Sequence, residues 1–300
     1  MCPRAWDLFL YRLRAAAGTT VLMKVMDSSG REGHVAEGAL ASGKERAYLL
    51  AALNDSPATN EVLLAALGIA GLFAKGVRAL HVTQVDDSPD VAHRLSRSAG
   101  VELRVTRTRG PVAEKILEAL RDPDIFGTVI GMRAFPSGPR PAGANALGVI
   151  SGAQKPVVLV PPNPHNLSSE VPRRLLVPLD GSETASDAFL RLEQGFVPDE
   201  KRHINVLLTF NSLTPPMLDH HPHDIQAWGG EFLARYCPGE GRTLHCREGD
   251  PGNAVIDVAG QTDSDLIVLS FGGDIEVGHG AVIREVLSRA EIPVLVLPVA

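Results

Sequence analysis

Cysteine is scarce in this chain. Cys2, Cys237 and Cys246 form an odd set with no Cys-x-x-Cys pair, which argues against a disulfide framework or a zinc knuckle and fits a reducing cytoplasm. Aromatic side chains make up only 5% of the sequence, so Ala, Val and Leu must supply most of the core. Net positive charge is also lacking: the formal charge is -6, and no general field draws the chain to nucleic acid or to an anionic membrane. Neither is expected as a partner. The longest apolar run, Val62 to Phe73 with Ala74, falls short of the roughly 20 residues of a membrane span and reads as a buried helix. The amino-terminal stretch MCPRAWDLFLYRLRAAAG is broken by Arg4, Asp7, Arg12 and Arg14, so a secretory signal is not expected.

Several chemical signatures are missing as well. There is no Gly-x-Ser-x-Gly elbow, no His-Glu-x-x-His and no carboxylate pair in a recognisable setting, so no catalytic residue and no metal ligand is assigned. GALASGKE (38 to 45) nearly spells a phosphate loop, but Glu45 stands where a hydroxyl should hold magnesium, and a strand pattern follows where a helix should. His220, His221, His223 and Asp224 read as a solvated insertion, since no second cluster lies at ligand spacing. His81 and His245 fall inside strand patterns and read as core or surface residues.

What the chain does have is a pattern written twice. At 300 residues it exceeds the usual size of one core. Short Val/Leu/Ile runs predict strands at 47–53, 77–84, 101–107, 126–132 and 156–161, then at 174–179, 204–210, 242–248, 265–270 and 293–298. Helical spacing lies between them, as in AEKILEAL (113 to 120) and AVIREVLSRA (281 to 290). Such alternation predicts parallel sheets with helices on both faces. The two series align: LLAALNDSPAT (49 to 59) lies over LLVPLDGSETA (175 to 185), and GANALGVISGAQKPVVLVP (143 to 161) over GAVIREVLSRAEIPVLVLP (280 to 298). Asn54 then falls on Asp180. The second copy is longer between these anchors, and the gain is placed around 212–224. The expected organisation is an extension (1–45), a first domain (46–161), a proline-rich linker (162–172) and a second domain (173–300). The extension is read either as a helix (5–17) with a strand (19–26) or as an arm.

With RRLLVPLDGSETASDAFLRL (173 to 192), DLIVLSFGG (265 to 273) and GAVIREVLSRAEIPVLVLP (280 to 298), the second copy resembles the universal stress protein family. The first copy matches less closely, through 49–70, 124–134 and 143–161, so the resemblance is to the tandem form. It implies two open five-stranded parallel sheets of order 3-2-1-4-5, of the adenine nucleotide alpha-hydrolase-like class, with ligands bound beyond the carboxyl ends of strands one and four. In nucleotide-binding members the acid after the first strand faces the base or ribose of ATP. A loop of the form Gly-x-x-Gly, a longer gap, then Gly followed by Ser or Thr wraps the phosphates, because glycines let backbone N–H groups approach and a helix amino terminus favours negative charge.

The tentative nucleotide-binding residues that follow are Asp180, Gly273 and Gly280 in the second copy, and Asn54, Gly131 and Gly143 in the first. Each copy departs from the pattern. The first has Asn54 for the acid, Ala134 for the second glycine and three prolines, Pro136, Pro139 and Pro141, in its loop, although Arg133 and Arg140 would suit phosphate. The second has Ser270 for the first glycine, a shortened gap, and Asp274 and Glu276, which would repel a triphosphate unless a divalent cation intervened. Both have alanine, Ala144 and Ala281, for the hydroxyl residue. Asp180, Ser182 and Thr184 also suit a plain helix cap.

The expectation is a cytoplasmic stress-response protein, regulatory or binding in role, with ATP and Mg2+ as the ligand if one is retained. A slow ATP hydrolase and a partner-binding scaffold without nucleotide are the alternatives. The apolar fifth strands, PVVLVP and PVLVLP, are expected to pair with each other, as in family dimers, and so form a pseudo-dimer within one chain; further oligomerisation is left open.

Overall fold

The computed structural model describes residues 47–54, 59–83, 104–132, 143–210, 218–219, 225–272 and 279–299. The described residues all belong to one compact unit, Arg46–Ala300. The readings made for the extension, for the phosphate-loop lookalike at 38–45 and for the histidines near 220 all lie outside the described residues.

The first copy runs β1 (Tyr48–Leu53), α1 (Thr59–Leu72), β2 (Gly76–Thr83), β3 (Val105–Arg109), α2 (Val112–Ala119), β4 (Ile125–Gly131), α3 (Ala144–Gly152) and β5 (Val157–Val160). The second runs β6 (Arg174–Pro178), α4 (Glu183–Glu193), β7 (His203–Phe210), α5 (Ile225–Tyr236), β8 (Arg242–Glu248), α6 (Pro251–Gln261), β9 (Leu266–Phe271), α7 (His279–Arg289) and β10 (Val294–Pro298). The expected strands are all present, with β3 displaced toward the carboxyl end of its predicted window. The apolar run at 62–73 is the body of α1, whose Val62, Leu63, Ala66, Ile69 and Leu72 are buried.

The ten strands form one sheet of order β3-β2-β1-β4-β5-β10-β9-β6-β7-β8. Each copy therefore has the order 3-2-1-4-5, and all pairings are parallel except that between the fifth strands. There β5 and β10 run antiparallel, with Val294 opposite Leu159 and Val296 opposite Val157. Two apolar edges that would otherwise stand open are closed against each other.

Side-chain alternation sends successive strand residues to opposite faces, and each face has its own core. One carries α1, α4 and α5, with Phe189 and Phe232 fully buried; the other carries α2, α3, α6 and α7 around Ile116, Val149, Val258 and Val286. Both cores hold residues from both copies, so the copies share their interior rather than meeting across a polar seam.

The segment between β5 and β6 forms no helix or strand, yet it is packed. The N–H of His165 donates to the carbonyl of Glu291 at 2.6 Å, and Asn163 and Asn166 take left-handed backbone angles of 51° and 50°. On α1, a Cβ added at Gly68 would stand 2.5 Å from the carbonyl oxygen of Glu170, and one at Gly71 would stand 2.6 Å from Val171. These two glycines admit the linker to the helix surface.

Candidate functional site

The first residues to place are those that open α4. β6 ends at Pro178, and Gly181 (φ 81°) turns the chain into the helix. Asp180 Oδ1 accepts the N–H of Ser182 at 2.9 Å, and Ser182 Oγ accepts the N–H of Ala185 at 3.3 Å, so the acid and the first hydroxyl both cap the helix start. Asp180 is nevertheless exposed, at the carboxyl end of the strand that borders the chain reversal. Thr184 is an exposed helix residue and makes no cap.

Across from it, β9 ends in Ser270 and Phe271. The hydroxyl of Ser270, at the position of the family's first glycine, donates to the carbonyl of Ala185 at 3.4 Å, which ties the tip of β9 to the first turn of α4. Gly280 is buried in the first turn of α7. Gly273 lies outside the described residues.

Between β6 and β9 the hydrogen-bonded ladder is short, because Pro178 has no N–H to continue it. Only Leu175 with Leu266 and Leu176 with Ile267 pair, although β6 remains paired with β7 to Pro178, and β9 with β10 to Phe271. At this switch point Val177, Leu179, Leu269 and Phe271 are buried, and Asp180 is exposed just beyond the end of β6.

The first copy is different at every corresponding place. β1 and β4 pair from Tyr48 with Ile125 to Ala52 with Ile130, and Thr128 Oγ1 adds a 3.0 Å bond to the Leu50 carbonyl. Asn54 is bound to the buried Thr59: its N–H reaches Thr59 Oγ1 at 3.3 Å, and that hydroxyl contacts both the Asn54 carbonyl and, at 3.2 Å, Oδ1. A Cβ at Gly131 would come 3.1 Å from Val62, so this glycine serves the approach of α1 to β4. Gly143 is the N-cap of α3 and has no side chain to contribute. The structure therefore brings Asn54 and Gly131 to the same strand tips, but engages both in local packing. Thr59 was not singled out by sequence; a hydroxyl five residues after the strand-end polar residue was the available signal.

A cavity of 1170 Å³ lies elsewhere. It runs between the linker and the amino ends of β6, β9 and β10, bordered by Arg173, Arg174, Asp263 and Asp265. Arg174 pairs with Asp265 at 3.0 Å, and this bond holds its guanidinium firmly protonated. Ligands of doubly wound sheets bind at carboxyl ends, so this groove is not the expected site.

No group of three or more His, Cys, Asp or Glu that could hold a metal occurs among the described residues. The Cys237 thiol is pushed up to about 11, chiefly by burial, and burial likewise raises Cys246; neither is primed as a nucleophile. His245 Nε2 lies 2.9 Å from Asn205 Oδ1, and burial, with Arg247 and His203 nearby, depresses its pKa. No helix among the described residues is long and apolar enough to cross a membrane.

Comparison with known proteins agrees with this architecture. The family model of the universal stress protein family matches residues 172–298. A universal stress protein from Archaeoglobus fulgidus DSM 4304 is similar in structure, with a TM-score of 0.64 at 18% identity over 85% of this chain and 99% of that one. A functionally unknown protein from Pseudomonas aeruginosa PAO1 is similar with a TM-score of 0.59 at 16% identity, over 84% of this chain and 92% of that one. No curated protein matches the chain. Residues 172–298 are thus a domain of the universal stress protein family, and the chain carries that family's fold twice, in tandem.

Proposed function

We infer that this chain is a stress-associated binding or regulatory protein whose second copy takes an adenine nucleotide beyond the carboxyl ends of β6 and β9. One observation carries the reading: an exposed carboxylate, Asp180, stands just beyond the carboxyl end of β6, where the strand order reverses between β6 and β9. Asp180 would face the base or ribose. The start of α7 at Gly280 supplies N–H groups of the kind that favour phosphate, and Mg2+ would offset the acidic residues at 274 and 276. Cys237 and Cys246, both free thiols, fit a reducing cytoplasm.

Titration of the purified full chain with ATP and Mg2+ in a calorimeter tests this. We expect one nucleotide per chain and a substantial loss of affinity in Asp180→Ala; absence of heat at high protein concentration overturns the reading. A second reading, a partner-binding scaffold without nucleotide, draws on the first copy, where the ladder is complete and Asn54 is engaged by Thr59. It predicts that neither copy gives heat.

A further inference from the structure

The sheet ends in β3 on one side and β8 on the other, and the two edges are not alike. The N–H of Ala79 donates to the Arg104 carbonyl on β3, and that of Ile204 to the Gly241 carbonyl at the start of β8. In a parallel ladder the N–H and C=O of one residue point to the same side, and successive residues alternate. Val105, Arg107 and Arg109 therefore turn their backbone groups outward from β3, while Arg242, Leu244, Cys246 and Glu248 turn theirs outward from β8.

An outward row of this kind is a template for another strand. β3 repels its own kind: paired antiparallel about Arg107 it sets that arginine against itself, and one register further it sets Arg107 against Arg109. β8 is self-complementary. Paired antiparallel about His245, it sets Arg242 opposite Glu248 and Leu244 opposite Cys246, and all four outward residues fall in hydrogen-bonded pairs. Leu244 and Cys246 are half-buried on the face that carries α5, so their pairing extends an existing apolar surface. Arg242 meets Glu193 at 2.5 Å and Arg173 meets Asp199 at 3.1 Å, while Arg202 lies within reach of both acids. Three guanidiniums thus share two carboxylates, and Glu248 of another molecule would supply the third. The carbonyl of Cys246 accepts from the side chain of Arg247 at 3.0 Å and keeps a second lone pair for a partner strand. On the opposite face His245 would meet its counterpart, each ring held toward the neutral form by burial.

We propose that β8 is a pairing edge: two molecules of this chain join there about a two-fold axis at His245, which continues one sheet into the next. The pairing is independent of any nucleotide. In it the Cα atoms of Leu244 and of Cys246 in the other molecule lie about 5.5 Å apart, within the span of a disulfide. The full chain carrying Leu244→Cys should form a disulfide-linked dimer on mild oxidation, and should lose it when Cys246→Ser is added. Absence of the linked dimer, or its persistence with Cys246→Ser, overturns the proposal. Sedimentation velocity over a concentration series gives a second readout: the wild type should associate to a dimer and no further, because a two-fold pairing closes on itself. Glu248 is exposed, and Glu248→Lys should weaken that dimer about tenfold through two opposed charge pairs, with the far-ultraviolet circular dichroism unchanged. A wild type that stays monomeric at every concentration, a polymer that grows beyond the dimer, or a Glu248→Lys dimer of wild-type strength overturns it.

Discussion

The two copies of the fold differ most where they should be most alike, at the tips of their first and fourth strands. In the first copy β1 and β4 stay zipped through Ala52 and Ile130, and the strand-end Asn54 is bound by the buried Thr59. In the second, the β6–β9 ladder ends at Leu176 with Ile267, short of Pro178, and the strand-end Asp180 is exposed while its carboxylate accepts the N–H of Ser182. The strand order is the same on both sides, so the difference comes from a few side chains rather than from topology.

The comparison can be broken most severely at the junction that joins the copies. Val158 is fully buried and lies opposite Leu295 in the β5–β10 pairing. Val158→Asp places an unpaired carboxylate in a core shared by both copies and should cost more than about 4 kcal/mol. Because the interior is common, both copies should melt in one transition, monitored by circular dichroism and by the fluorescence of Trp228. Two separated transitions would show that the copies are independent.

A smaller effect separates the two strand tips. Thr59→Ala removes a buried hydroxyl that serves Asn54 and should destabilise the first copy by about 1–3 kcal/mol. Ser182→Ala removes the cap of α4 and should cost about 1 kcal/mol. If Asp180 and Ser182 serve a ligand as well as the cap, saturating ATP should stabilise the wild type more than Ser182→Ala in thermal melts, and should not distinguish Thr59→Ala from wild type.

The smallest effect is one of pH. His245 is half-buried in the outer strand of the second copy, where burial, Arg247 and His203 depress its pKa below 6.5. A histidine whose folded pKa is lowered favours the neutral folded form, so its contribution is full above 6.5 and declines as the pH falls through the folded value. Acid should therefore weaken the protein, and His245→Gln should flatten that part of the stability profile measured by urea unfolding. In the first copy the imidazole of His81 is buried within β2, and its replacement is a useful contrast.

Much of the fold was legible in the chain. Runs such as LLVPL and PVLVLP have the length and apolarity of strands buried on both faces, and their repetition marked two copies of one unit. The site was less legible. Asp180 and Ser182 were readable as cap or ligand group, and the structure shows the cap geometry directly. The roles of Thr59, and of Gly68 and Gly71 under the linker, depend on contacts between segments far apart in the sequence or across a turn.

The sequence by itself determined the duplicated pattern, the strand-forming runs and the chemistry available at each strand tip, because these follow from apolar period and residue type. Only the tertiary structure decided that the paired fifth strands run antiparallel, that the copies share their cores, and that Asn54 is held by Thr59 while Asp180 is exposed. Those outcomes depend on which atoms from separate segments meet, and that is not carried by any single stretch of the chain.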